Sequence, residues 1–137
     1  MTKAGRVLSC AIVLVEGCRE SGVVPQKRVA GGDPARGKQA IVAYGCGSCH
    51  VIPGVPAADG RVGPPLADVA HRTFIAGRLR NEPEALVQWI RAPRAVDPGT
   101  AMPTLGVTDA HARDIAAYLY TLARGQLGPP RLIPIRY

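Results

Sequence analysis

Residues 44–50 read Tyr44-Gly45-Cys46-Gly47-Ser48-Cys49-His50, two thiols three positions apart followed at once by an imidazole. Thiols at this spacing on one helical turn reach the two vinyl groups of a haem, and the adjacent histidine then points at the iron. Gly47 and Ser48 are small enough to keep the turn clear of a porphyrin edge. A redox dithiol uses the same spacing, but it expects a strand running into the motif, whereas a helical segment precedes Cys46 here. A structural zinc site needs four ligands, and no second cysteine pair follows.

A six-coordinate iron needs a ligand on its other face. Apart from the initiator, the chain has one methionine, Met102, 52 residues after His50. It lies in Pro98-Gly99-Thr100-Ala101-Met102-Pro103, a loop that can lay a thioether against an iron without helical constraint. A methionine filling a gap in the core is the competing reading. His71 and His111 are the other ligands to weigh. His111 falls near the start of a predicted helix and reads as a solvated surface residue, while His71 follows the Leu66–Ala70 turn and stays open.

Helices must position these groups. Asp33-Pro34 supplies a cap and a first-turn proline for a helix running to about Tyr44, with Ile41 and Tyr44 facing inward. A second helix is predicted over Pro83–Ala92. Thr108 caps a third, Asp109–Ala123, in which Ile115, Tyr118, Leu119 and Leu122 recur at helical spacing and Gly125 follows near the end. No segment alternates as a strand, so the fold class is all-α. The chain has 137 residues, only six of them aromatic, with 16 Gly and 13 Pro, so it is loop-rich and short of bulky core side chains. A bound haem would fill the middle.

The formal charge of +7 is concentrated at the ends, because residues 31–125 hold ten bases against eight acids. That balance, with no basic stripe interleaved with aromatics, argues against a nucleic-acid partner. Lys3 and Arg6 precede the nine-residue apolar run Val7–Val15, too short to span a bilayer but suited to an export signal. Residues 1–18 are therefore read as a signal ending at Cys18. The Gly17-Cys18 junction resembles the bacterial lipoprotein box, in which the cysteine is lipidated and becomes the N-terminus. Glu16 departs from that pattern, and simple cleavage is the alternative. Residues 19–32 read as a flexible linker, 33–125 as the folded domain and 126–137 as a proline-rich tail. The four cysteines are then accounted for as two on haem, one on lipid and Cys10 lost with the signal, with no disulfide required.

Taken together, Cys46–His50, Gly63-Pro64-Pro65-Leu66, Pro98–Met102 and the last helix resemble the class I, single-haem bacterial cytochromes c over about residues 31–125. The resemblance implies three main helices plus loops wrapped around one haem c, held by two thioethers from Cys46 and Cys49 and ligated by His50 and Met102. It implies that the Pro64 carbonyl accepts a hydrogen bond from His50, that Leu66 packs on the haem and that Trp89 lies near the bound sulfur. Thr100 matches a hydroxyl that bonds a haem propionate. The family's other propionate-binding aromatic has no counterpart, which leaves Arg78 or Arg61 for that task. The first and last helices should cross, with Gly37 and Ala116 allowing close approach.

The implied function is transfer of single electrons through the porphyrin edge, without enzymatic turnover, because two bound ligands leave iron no open position. Expected partners are redox proteins (a membrane oxidase, a reductase or a periplasmic dehydrogenase) and the membrane itself through the N-terminal lipid, on the periplasmic side. A fixed subunit of a respiratory oxidase or dehydrogenase complex is one alternative. A haem sensor or catalyst with a displaceable Met102 is another.

Overall fold

The computed structural model describes residues 27–122; the apolar N-terminal run, Cys10, Cys18, Gly125 and the proline-rich tail lie outside them. In chain order the elements are α1 (Pro34–Ala43), a hairpin of β1 (Phe74–Ile75) and β2 (Leu79–Arg80), α2 (Pro83–Arg91), the single-turn α3 (Pro93–Val96) and α4 (Asp109–Thr121). Two 3₁₀ turns, Cys46–Ser48 and Val69–His71, interrupt the long loop between α1 and the hairpin.

The predicted helix starts hold. The Asp33 carboxylate accepts the Arg36 N–H at 2.9 Å, and the Thr108 hydroxyl accepts the His111 N–H at 3.2 Å. Proline opens α1, α2 and α3, where its missing N–H would have been unpaired in any case. The expected ends shift slightly: α1 stops at Ala43 with Tyr44 as its cap, α2 stops at Arg91, and α4 stops at Thr121. The hairpin is an addition to the all-α reading. Its strands are two residues each, Phe74 opposite Arg80 and Ile75 opposite Leu79, too short to leave an alternating pattern.

The crossing of α1 on α4 organises the core. Gly37 is buried, and a Cβ there would be driven into the backbone carbonyl of Asp114. On α4, Ala112 and Ala116 have no exposed surface. Only small side chains let the two backbones approach this closely. Asp114 is buried at the same crossing, 3% exposed. Its carboxylate accepts the Asp33 N–H at 2.7 Å and two guanidinium bonds from Arg36 at 2.9 Å each. The Arg36 hydrogen bonds hold this carboxyl below the usual aspartate range against the opposing effect of burial.

α2 packs its Leu86, Val87, Trp89 and Ile90 face inward. On its outer side Glu84 bonds Arg113 at 2.7 and 3.0 Å, Arg113 bonds Asp109 at 2.7 Å, and Arg91 bonds Asp109 at 3.0 Å. These exposed pairs fix helix orientation more than they stabilise the fold. The packed edge of the domain begins before Asp33. Val29 is buried, the Ala30 carbonyl accepts from Arg113 at 3.4 Å, and the Lys27 ammonium donates to the Asn81 carbonyl while lying 5.6 Å from the centre of the Tyr120 ring. Residues 27–32, grouped with the linker in the sequence reading, are seated against the domain.

Two outcomes test this crossing. Gly37→Ala should cost about 1–3 kcal/mol of unfolding free energy, the usual penalty of overpacking, read from the denaturant midpoint. Asp114 contributes stability above the ordinary aspartate range of about pH 4, and that contribution is lost as pH falls through its lowered native value. Asp114→Asn should therefore be less stable at neutral pH and lose less stability on acidification than the native protein, as measured by thermal melts at a series of pH values.

Candidate functional site

The Cys46–Ser48 turn follows directly on α1. Cys49 and His50 both donate their backbone N–H to the Cys46 carbonyl, at 3.3 and 3.1 Å. The chain then loops back, and two bonds draw the 63–66 segment against it: Gly63 N–H to the Cys49 carbonyl at 2.8 Å and Leu66 N–H to the Val51 carbonyl at 2.9 Å. Gly63 is required here because a Cβ would collide with the His50 ring.

This pairing brings the Pro64 carbonyl to 2.8 Å from His50 Nδ1. A carbonyl can only accept, so the proton of a neutral imidazole sits on Nδ1 and the lone pair is left on Nε2. That is the tautomer a metal ligand needs.

His50 opens into a cavity of about 300 Å³ bounded mainly by apolar side chains. Cys46, Cys49, His50, Pro64, Leu66, Trp89, Thr100 and Met102 all line it, so the structure gathers these eight residues around one space. Ile41 from α1, Leu86 and Ile90 from α2 and Ile115 and Leu119 from α4 complete the walls. Cys46 and Cys49 are free thiols at its edge, both partly exposed. Burial pushes the Cys46 thiol above its usual range. The Thr100 Oγ1 accepts the Met102 N–H at 3.2 Å, which fixes the backbone of the methionine while leaving the hydroxyl proton available to donate.

Four residues considered from the sequence lie elsewhere. Neither Arg61 nor Arg78 is in the lining, and Arg78 is engaged by the Asp97 carboxylate at 3.2 Å. His71 is exposed on its 3₁₀ turn. His111 is exposed too, with Nδ1 2.9 Å from the Tyr44 hydroxyl and the two rings edge to face at 5.7 Å. Tyr44, expected to face inward, is half-buried in this pairing.

Arg72 and Asn81 are cavity residues that the sequence reading passes over. The Arg72 guanidinium donates to the Pro65 carbonyl, placing a cation in a mainly apolar wall. Its only sequence signal is a single arginine between the short apolar stretches Val69-Ala70 and Phe74–Ala76.

Paired thiols, an imidazole with its lone pair on Nε2, a methionine loop and an apolar enclosure fit a covalently attached haem with two axial ligands. Comparison with known proteins agrees. Residues 34–123 match the cytochrome c family, and the chain belongs to it. Proteins of this family bind haem c covalently and transfer electrons. The chain is 32% identical over 88 residues to a cytochrome c oxidase subunit 2 of Alkalihalophilus pseudofirmus, covering 64% of this chain and 25% of that protein. It is 36% identical over 95 residues to a cytochrome c oxidase subunit 2 of Bacillus sp. strain PS3, covering 66% of this chain and 27% of that protein. The chain thus spans about a quarter of the length of the curated relatives it matches.

Cysteine substitution tests the attachment. Cys49→Ser should retain haem through Cys46 alone after denaturation, whereas Cys46→Ser/Cys49→Ser should release it; intact mass of the denatured protein distinguishes the two. Release from the single variant would leave Cys46 without a role in attachment.

Proposed function

We propose that this protein is a one-electron carrier whose haem is attached through Cys46 and Cys49 and ligated by His50 Nε2 and Met102 Sδ. The observation that carries this reading is the shared cavity into which the two thiols, the Pro64-held imidazole and the Met102 loop all open. When bound, the haem supplies a couple that gains or loses one electron.

The polypeptide sets the conditions for that exchange. The Pro64 carbonyl keeps the proton at His50 Nδ1, so Nε2 remains a donor in both oxidation states. Thr100 holds the Met102 backbone and limits how far the thioether can swing away. A thioether ligand beside an imidazole ligand would favour the reduced iron and raise the reduction potential of a bound haem. Leu66, Trp89, Ile52 and Leu119 exclude water from the centre, which acts in the same direction. Arg72 lines the cavity where Arg61 and Arg78 do not, and it would be the base available to a haem carboxylate. With His50 and Met102 both holding the iron of a bound haem, no position on it would be left for a substrate, in keeping with transfer rather than turnover.

A second reading is favoured by the two relatives that are cytochrome c oxidase subunits: the domain works as the fixed electron-entry module of a respiratory complex. In either case the partners are redox proteins. The exported, membrane-tethered location rests on the Val7–Val15 run and Cys18; among the described residues no helix is long and apolar enough to cross a membrane. Co-purification with an oxidase from membranes supports the fixed module, and recovery as a free cytochrome supports the mobile carrier.

Met102→Ala tests the ligand assignment. It should lower the reduction potential and let carbon monoxide bind the reduced protein, which the native protein resists. A native spectrum and potential in the variant would remove Met102 from the site.

A further inference from the structure

Among the described residues, Arg72 is the one Lys, Arg, Asp or Glu side chain in the cavity wall. Its backbone is not left to the loop. The Asn81 amide nitrogen donates to the Arg72 carbonyl at 2.8 Å and to the Val69 carbonyl at 2.6 Å, gripping both ends of the turn that leads into it. Asn81 is only 2% exposed, so this amide has no recourse to water. Two carbonyls facing the amide require its NH₂ on that side, which turns Oδ1 away towards α4. There it accepts the Tyr120 hydroxyl at 2.8 Å. Tyr120 is itself buried and is absent from the cavity lining.

We propose that Tyr120 is a positioning residue for the electron-transfer centre. Its hydroxyl satisfies Asn81 Oδ1, the amide so oriented holds the Arg72 backbone, and the Arg72 charge is thereby kept in the cavity wall. This inference rests on the reading of the cavity as the haem site. A cation fixed in a wall of low polarity opposes the gain of positive charge on oxidation and so raises the reduction potential. Tyr120→Phe leaves Asn81 Oδ1 buried without a donor, a state that costs more than the lost bond itself. The amide is then free to turn or admit water, and its hold on the Arg72 carbonyl weakens.

The test is a double-mutant cycle on the midpoint potential of the haem-loaded protein. Arg72→Gln should lower the potential in the native background. In Tyr120→Phe the same change should produce less than half that shift. Asn81→Ala, which attacks the relay at its middle, should reduce the Arg72→Gln shift in the same way and serves if Tyr120→Phe does not fold. Tyr118→Phe is the control: it deletes a hydroxyl from the same helix, one that donates to the Pro53 carbonyl at 2.6 Å, and should leave the Arg72→Gln shift whole. Equal shifts with and without Tyr120, no shift from Arg72→Gln in any background, or the same reduction in Tyr118→Phe would each overturn the relay while leaving the haem assignment standing. A protein with no haem absorption would overturn the reading beneath it.

Discussion

A proline carbonyl has two lone pairs and no proton to give. When such a group meets a histidine ring nitrogen at 2.8 Å, as Pro64 meets His50, the histidine must present its proton there and its lone pair on the far side of the ring. The rest of the site follows from this constraint. Gly63 lacks a side chain because the ring occupies that space, and the segment containing both residues is stitched to the Cys49–Val51 strand of chain by two backbone bonds. The imidazole is therefore aimed by covalent sequence on one side, through Cys49, and by a hydrogen bond on the other.

The helices work at a distance from this chemistry. α1 ends where the thiols begin, α2 brings Trp89, and α4 supplies Ile115 and Leu119, so each contributes a wall rather than a reactive group. Their mutual positions depend on side chains that are absent or minimal: Gly37 on α1, Ala112 and Ala116 on α4. Close backbone approach at that crossing leaves one polar requirement, a buried Asp114, met by Arg36 and the Asp33 N–H. The net result is an enclosure whose shape is set by packing and whose contents are chosen by loops.

Much of this is legible in the sequence because it is local. The thiol–imidazole spacing, the caps at Asp33 and Thr108 and the helical recurrence of Ile115 and Leu119 are all short-range patterns, and a Gly37–Ala116 crossing follows once the family is recognised. The structure also gathers the eight named site residues about one cavity. What escapes is whatever depends on the path of the loops. Arg72 stands in a segment without periodicity, so nothing marks it over Arg61 or Arg78. Nothing local in the sequence marks Asn81 or Asp114 either, yet both are buried because partners distant in sequence complete them: Tyr120 for one, Arg36 for the other. The β1–β2 hairpin is hidden by its brevity, and its turn uses Ala76 at a φ of 49°, a conformation that alanine does not advertise.

The union of α1 with α4 joins residues near the two ends of the described chain, contacts of a kind that no local segment can make alone. During synthesis, the stretch holding both sulfurs emerges well ahead of the helix that will cover the core beside it. Ile115 and Leu119 lie on that last helix, so the enclosure gains its α4 wall only when the chain has been made as far as α4.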